Sequence, residues 1–167
     1  TDFIMMTEEN SYMFITGPKV VKSVTGESVS VDELGGAGVH ATKTGVAHFR
    51  AENEQDGLAT VRRLISFIPQ NNMENAPVVE CTDPVNRLDD ALNTLVPDNP
   101  NKPYDMKEII TSIVDNHDVL EIQPEYAPNI ICAFGRFNGV STGIIANQPS
   151  CLAGVLDCDA SRKAARF

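Results

Sequence analysis

The sequence lacks two patterns that would assign it at once to a large class of proteins. No apolar run approaches the roughly 18 residues that a membrane-spanning helix needs, so we expect no membrane contact by this chain. The four cysteines never adopt the Cys-x-x-Cys spacing of a zinc or dithiol site. We therefore expect reduced thiols and no metal, with Cys132 as a small core residue in an apolar strand.

Basic residues are also scarce, because 13 lysines and arginines face 23 aspartates and glutamates, for a net charge of −10. The excess is concentrated in residues 71–118, which hold ten acidic and three basic residues. Such a segment repels phosphates, so we expect no nucleic-acid partner. With 42% apolar residues the chain has a globular composition, and its length fits one ordinary domain.

The first part of the chain contains short apolar runs separated by turn residues. Phe3–Met6 and Tyr12–Ile15 are predicted to be two short buried strands. Pro18 precedes a predicted helix over Lys19–Thr25, because proline is tolerated in a first helical turn. A shorter helical turn is predicted over Val31–Leu34, and a pair of glycines ends it.

A longer amphipathic helix follows. Asn53 is its predicted N-cap, and Pro69 is predicted to end it. The helix is expected to pack against a sheet through one apolar face. That predicted face consists of Leu58, Val61, Leu64, Ile65 and Ile68.

Residues 70–103 are rich in proline, asparagine and aspartate, which predicts a linker between two domains. One short helical piece is predicted in it at about Leu88–Leu95. After the linker, Asp105 is expected to cap a helix, with Glu108 at the spacing of a capping box.

The last part of the chain is predicted to be a strand, a hairpin and the start of a helix. The strand covers Val119–Ile122. The hairpin joins residues 130–137 to residues 140–147 through Asn138-Gly139, a strong cue for a two-residue turn. Asp159 is the predicted cap of the final helix. The order of elements indicates an α/β chain.

The densest motif is Gly35-Gly36-Ala37-Gly38-Val39-His40, followed by Thr44-Gly45-Val46-Ala47-His48-Phe49. The glycine pair either lets backbone amides approach a thioester oxygen or a phosphate, or forms a helix C-cap and packing turn. His40 and His48 could be general bases, since imidazole titrates near neutrality. No Ser, Cys or carboxylate stands nearby in a triad-like order, so we favour the structural interpretation, with histidines that donate to backbone carbonyls.

Eight further segments follow one another in an order that indicates a known family. They are Met13–Pro18, Ser23–Glu27, Ser66–Pro69, Asn71–Met73, Pro103–Met106, Tyr126–Ile130, Gly143–Pro149 and Asp157–Phe167. Together with the glycine motif they cover nearly the whole chain. The chain resembles the carboxyltransferase subunits of biotin-dependent acyl-CoA carboxylases and decarboxylases, of the propionyl-CoA carboxylase beta and methylmalonyl-CoA decarboxylase alpha types.

The resemblance implies a crotonase-like ββα superhelix, with the end of an N-terminal domain and the start of a C-terminal domain. Residues 1–76 would belong to the acyl-CoA-side carboxyltransferase domain, and residues 77–103 would be an acidic linker. Residues 104–167 would begin the biotin-side domain. Because members of the family are much longer, we expect the chain to be an internal fragment.

The activity implied is transfer of a carboxyl group between biotin and a short-chain acyl-CoA of the propionyl-CoA or methylmalonyl-CoA type. Biotin, the expected cofactor, would be carried by a partner. The expected partners are acyl-CoA, the biotin carboxyl carrier and other subunits of a homo- or hetero-oligomer, in bacterial cytoplasm or the mitochondrial matrix. Two alternatives remain open, namely a carboxyltransferase in the decarboxylase direction of a sodium pump and a non-catalytic assembly fragment of the same subunit.

The resemblance also places the amides that hold the substrate oxyanions outside this chain, so no catalytic residue is expected in it. The substrate-side or CoA-side candidates are Gly35, Gly36, Ala37, His40, Thr44 and Gly45. Asn147 and Gln148 either meet a biotin ureido group or a subunit junction, or form a polar turn before proline. Arg136 is a candidate for a phosphate contact, whereas Arg162–Arg166 is expected to be an exposed helix face.

Overall fold

The computed structural model describes residues 2–167, which form two compact units. The first unit extends to Val61 and includes Gln123–Tyr126, and the second contains Arg62–Ile122 and Ala127–Phe167. The domain boundaries predicted after residues 76 and 103 stay a prediction.

The first unit is built on two short parallel strands and three helices. Its elements are β1 (Met5–Thr7), α1 (Pro18–Thr25), α2 (Val31–Gly35), α3 (Ala37–Thr42) and β2 (Phe49–Ala51), and α4 (Glu54–Ile65) has residues in both units. Met6 of β1 lies opposite Arg50 of β2. The core consists of Met6, Ala37, Ala41 and Ala47, against which Ile4 packs. The predicted helices over residues 19–25 and 31–34 are therefore confirmed.

The prediction of a second buried strand over Tyr12–Ile15 was wrong. A single antiparallel bridge joins Tyr12 to Gly36, and all four side chains of this segment are exposed. Apolar residues alone predicted a buried strand, but a strand needs a partner along its length. Only one residue of this segment has such a partner among residues 2–167.

Helix α4 forms where it was predicted, with a different buried stripe. Asn53 Oδ1 accepts a hydrogen bond of 2.9 Å from the Asp56 amide, as expected for a cap. Gly57 and Leu64 are the buried positions, whereas Leu58 is 56% exposed. The Cβ that Gly57 lacks would lie 3.2 Å from the Met5 sulfur. Because Gly57 has no side chain, this side of α4 can pack closely against Met5 and faces inward. The helix also ends before Pro69, at Ile65.

The second unit contains a three-stranded antiparallel sheet and three helices. Its elements are α5 (Leu92–Leu95), α6 (Met106–Ile113), β3 (Leu120–Ile122), β4 (Ile130–Phe137), β5 (Val140–Asn147) and α7 (Cys158–Arg166), with 3₁₀ turns at Asp115–His117 and Leu152–Gly154. The strand order is β3-β4-β5. Phe137 pairs with Val140 around the predicted Asn-Gly turn, so the hairpin is confirmed with its register. One core cluster consists of Ile110, Val114, Ile131 and Ala133.

Residues 70–103 hold little regular structure, as predicted, but they form part of the second unit. The helical piece is shorter than expected and covers only Leu92–Leu95. The Val79 amide donates 3.0 Å to the Gly139 carbonyl in the hairpin turn. The Arg87 guanidinium donates to the carbonyls of Ser112 and Val114 at the end of α6, at 2.9 and 3.0 Å. Hydrogen bonds therefore connect residues 70–103 to the hairpin turn and to the end of α6.

Two helix caps in this unit were predicted, and one was placed wrongly. Asp105 caps α6 by accepting 2.8 Å from the Lys107 amide. The last helix is capped by Asp157, which accepts 2.8 Å from the Ala160 amide, and Asp159 lies inside the first turn. The amide of Ala160 lowers the pKa of the Asp157 carboxyl, as expected for a cap that is bonded in its charged form.

Candidate functional site

The glycine motif forms the corner between α2 and α3. Ser30 and Glu33 form a capping box that starts α2, with the Ser30 amide donating 2.9 Å to the Glu33 carboxylate. Gly36 ends α2 and begins α3 with φ −73°, so the corner needs no left-handed residue. A Cβ at Gly35 would collide with the Met13 carbonyl, and one at Gly36 would lie 2.9 Å from the Asp32 carbonyl oxygen. The glycine pair therefore serves close backbone packing rather than a left-handed C-cap.

His40 binds the backbone of Met13, an earlier segment of the same chain, at this corner. Its side chain is buried, Nε2 lies 2.6 Å from the Met13 carbonyl oxygen, and Nδ1 lies 2.9 Å from Thr44 Oγ1. Because a carbonyl can only accept, Nε2 carries a proton and donates it, while Nδ1 shares a hydrogen bond with the Thr44 hydroxyl. The prediction that His40 donates to a backbone carbonyl is thus confirmed, and both ring nitrogens already have partners.

At His48, Nδ1 accepts a hydrogen bond from the backbone, and the predicted donation to a carbonyl stays a prediction. The Ile4 amide donates 3.1 Å to Nδ1, which must therefore be unprotonated. The backbone around it is also bonded, since the His48 amide donates 2.8 Å to the Ile4 carbonyl and its carbonyl accepts 3.0 Å from the Gln123 amide. His48 therefore joins Ile4, just before β1, to Gln123, just after β3.

Gly45 is the one position of the motif that does require glycine for its backbone angle. Its φ is +65°, and a Cβ there would lie 2.5 to 2.8 Å from three ring atoms of Tyr126. The Gln123 side-chain amide donates to the Gly45 carbonyl. The Thr44 hydroxyl accepts 3.3 Å from the Val46 amide, in addition to its contact with His40. Thr44 and Gly45 therefore build a turn beneath the Tyr126 ring.

A groove of about 510 Å³ opens beside this corner, and Gly36 and Ala37 line it. Its other lining residues are Glu8, Glu9, Asp32, Glu33, Gly38, Val39, Thr42, Lys43 and Arg50. Four of these are acidic and two are basic. Arg50 is already paired with Glu8 at 3.2 Å and with Glu125 at 2.9 Å. The electrostatics of this groove therefore oppose binding of a polyphosphate.

The segment Tyr12–Ile15, which we call the apolar segment, is hydrogen-bonded through the backbone of Met13 and has its side chains exposed. The Met13 amide donates 2.8 Å to the Gly35 carbonyl, and His40 binds the Met13 carbonyl. Ile15 is fully exposed, and Val24 of α1 is 78% exposed. His40 and the Gly35 carbonyl thus hold the backbone of a segment whose apolar side chains are exposed. Exposed apolar patches are typical of interaction surfaces.

The two amide candidates of the second unit are both used in local structure. Gln148 is buried, its Oε1 accepts 3.0 Å from the Met106 amide, and its Nε2 donates 2.7 Å to Asp105. Asn147 Nδ2 donates 2.6 Å to the Gly154 carbonyl. Gln148 joins the end of β5 to the start of α6, which requires a side chain with both a donor and an acceptor.

Lys163 was predicted to lie on an exposed helix face, and this was wrong. It is 2% exposed, and its Nζ donates 2.9 Å to the Ile130 carbonyl and 3.4 Å to the Ala127 carbonyl. Burial lowers the pKa of Lys163. Burial also raises the pKa of the nearby Cys132 thiol, which is fully buried as predicted. Because Lys163 is itself charged and lies between Arg162 and Arg166, the sequence did not indicate that it would be buried.

Arg136 is directed into the second unit rather than towards a ligand. Its Nη2 donates 2.8 Å to the Ser66 carbonyl, its Nη1 lies 3.2 Å from Asp118, and its guanidinium stacks 3.9 Å from the Phe67 ring centre. Its Nε is buried without a hydrogen-bond partner in the part of the chain that the structure describes. The predicted phosphate contact therefore lacks an accessible group here.

Two further classes of site are absent from residues 2–167. Across that range, no three histidine, cysteine or acidic side chains are grouped as a metal-ion site. No helix in the same range combines the length and apolar character needed to cross a bilayer.

Comparison with known proteins places this geometry in a family. The carboxyl transferase domain matches residues 1–167, the whole chain. The chain belongs to the carboxyl transferase domain family. It is 57% identical to methylmalonyl-CoA decarboxylase subunit alpha of Veillonella parvula and 56% identical to the propionyl-CoA carboxylase beta chain of Roseobacter denitrificans, in each case over 100% of this chain and 33% of the relative.

The fold of the carboxyl transferase family is also shown by a solved structure. Transcarboxylase 12S, crystallised with hydrolysed methylmalonyl-coenzyme A, matches with a TM-score of 0.96 and 48% identity over 100% of this chain and 33% of that chain. The predicted α/β, crotonase-like fold is therefore confirmed. The chain spans about a third of the length of the curated relatives it matches.

Proposed function

We propose that this chain is part of a subunit that transfers a carboxyl group between carrier-bound biotin and a short-chain acyl-CoA. The observation that supports this most is the match of the entire chain to transcarboxylase 12S, a carboxyltransferase whose structure holds hydrolysed methylmalonyl-coenzyme A. The relatives named above act, by their names, on propionyl-CoA and methylmalonyl-CoA. We accordingly propose an acyl-CoA of that size as the substrate.

Within this function, the residues of the glycine motif shape the subunit and do not react. Three observations support this role. His40 has partners on both ring nitrogens, the Gly36 amide donates 2.9 Å to the Asp32 carbonyl, and Gly45 lies beneath the Tyr126 ring. A catalytic base or an oxyanion-binding amide needs a free atom directed at the substrate. We propose that the reacting groups belong to polypeptide outside this chain.

The residues present do not form a biotin site. Gln148 is buried with both polar side-chain atoms bonded, and the Asn147 amide is bonded to Gly154. Biotin supplies the carboxyl group when its carrier is bound, and we propose that it is bound elsewhere in the subunit. The proposed partners are the carrier, acyl-CoA and other subunits, in bacterial cytoplasm or the mitochondrial matrix.

An assembly role is a second candidate, because the apolar segment is exposed while the backbone of Met13 within it is hydrogen-bonded. It need not exclude the first, since the transcarboxylase structure is described as a hexamer assembly. The same surface could exist in an active subunit and in a scaffold. Oligomeric state and carboxyl transfer must therefore be measured on the same protein.

The test uses a chimera in which this chain replaces the corresponding residues of the Veillonella parvula alpha subunit. The chimera is combined with its biotin carrier and offered acetyl-CoA, propionyl-CoA and butyryl-CoA as acceptors. Release of carboxyl from methylmalonyl-CoA measures the decarboxylase direction. We expect propionyl-CoA to be the best acceptor. A folded chimera that transfers carboxyl to none of the three in either direction would contradict the proposal.

A further inference from the structure

The turn between β4 and β5 contains the only Asn-Gly pair of the sequence, Asn138-Gly139. Both residues have positive φ, 52° and 78°, as a two-residue type I′ turn requires. Asn138 is exposed, and Gly139 is buried. Because glycine has no Cβ, its backbone nitrogen is accessible to the side-chain amide carbon of the preceding asparagine.

We propose that Asn138 is a site of spontaneous deamidation and that the Asp115 carboxylate holds it in the unreacted form. In this reaction the Gly139 nitrogen loses its proton to water or hydroxide and attacks Asn138 Cγ. A nitrogen–carbon bond forms, the Cγ–Nδ2 bond breaks, and ammonia leaves with a proton from solvent. Water then opens the cyclic imide at either carbonyl, giving aspartate or isoaspartate, with no oxidation or reduction.

Asp115 engages the two backbone amides of this turn. Its Oδ2 accepts 2.6 Å from the Gly139 amide, and its Oδ1 accepts 3.1 Å from the Asn138 amide. The Gly139 carbonyl is fixed as well, since it accepts 3.0 Å from the Val79 amide. Attack requires the Gly139 nitrogen to give up its proton and leave the carboxylate. The reaction therefore has to break a charge-assisted hydrogen bond before the new bond forms.

The modified turn would not fit the same surroundings. Either product adds a carboxylate to the turn whose two amides the Asp115 carboxylate binds, and like charges close to one another repel. Isoaspartate also adds a carbon to the main chain within a turn whose register depends on its two residues. We expect the product to lose the contact between Val79 and Gly139, which frees this part of the linker.

The test follows the amide-to-acid mass change in the complete chain during incubation at mildly alkaline pH. Trypsin releases residues 137–162 as one peptide, in which Asn147-Gln148 is an internal reference. A synthetic peptide of residues 130–147 gives the unprotected rate. We expect Asn138 in the folded chain to react at least about tenfold more slowly than in the peptide, the factor that one charge-assisted hydrogen bond supplies.

Asp115→Asn tests the role of the carboxylate, and Glu108→Gln, on the exposed face of α6, is the matched control. We expect about tenfold faster deamidation in Asp115→Asn and no change in Glu108→Gln. A rate in Asp115→Asn that is unchanged or slower overturns the proposal, the slower case showing that the carboxylate acts as a base. Should Asp115→Asn unfold, wild-type chain in urea replaces it, and protection that persists in urea overturns the proposal equally.

Discussion

Replacing Gly45 by alanine should destabilise the first unit through two separable effects. The left-handed backbone at φ +65° costs an L-residue about 1–2 kcal/mol. The added methyl also lies 2.5 to 2.8 Å from the Tyr126 ring, and such overpacking costs about 1–3 kcal/mol. The sum predicts a loss of about 2–5 kcal/mol in the free energy of unfolding.

The chain supplies a matched control for this prediction in Gly26. Its φ is +77°, yet a Cβ there would meet no atom within 4 Å. Gly26→Ala should therefore lose only the backbone contribution of about 1–2 kcal/mol. Urea unfolding followed by circular dichroism gives both values from the midpoints, provided the slopes agree. Equal losses in the two variants would refute the packing argument for Gly45.

Two further predictions concern Asp115 and the apolar segment. Burial acts to raise the pKa of the Asp115 carboxyl, but hydrogen bonds from the amides of Gly139 and Asn138 outweigh burial and lower that pKa below its ordinary 3.8. The stabilisation by Asp115 should therefore be present above pH 3.8 and be lost as the pH falls through the lower pKa of the folded state. Urea midpoints of wild type and Asp115→Asn should therefore converge on acidification, and a gap that persists would contradict this. Ile15→Asp should lower the oligomeric state in analytical ultracentrifugation with the circular dichroism unchanged, whereas Val85→Asp, equally exposed, should not. The same sedimentation for both variants would show that the apolar segment is no assembly surface.

Local signals in the sequence predicted the elements that depend on local chemistry. The Asn138-Gly139 turn fixed a hairpin with its register, because this turn type demands these two residues. Asp105 likewise marked the start of α6. The series of family motifs predicted the fold, which the match to transcarboxylase 12S confirmed.

Features that depend on distant contacts could not be predicted. The exposure of Ile15 follows from the lack of a neighbouring strand, and apolar character alone cannot reveal that lack. Lys163 is buried because the Ile130 and Ala127 carbonyls lie within its reach, although its own charge and the adjacent Arg162 favour exposure. The role of Gly35 depends on the approach of the Met13 carbonyl, 22 positions away in the sequence.

The most direct test of the account is the rate of carboxyl transfer by the Veillonella parvula chimera relative to its parent subunit. We predict transfer to propionyl-CoA within about tenfold of the parent, a difference of about 1.4 kcal/mol in the barrier, and no transfer by the 167-residue chain alone. A folded and assembled chimera without activity, or turnover by the isolated chain, would contradict it.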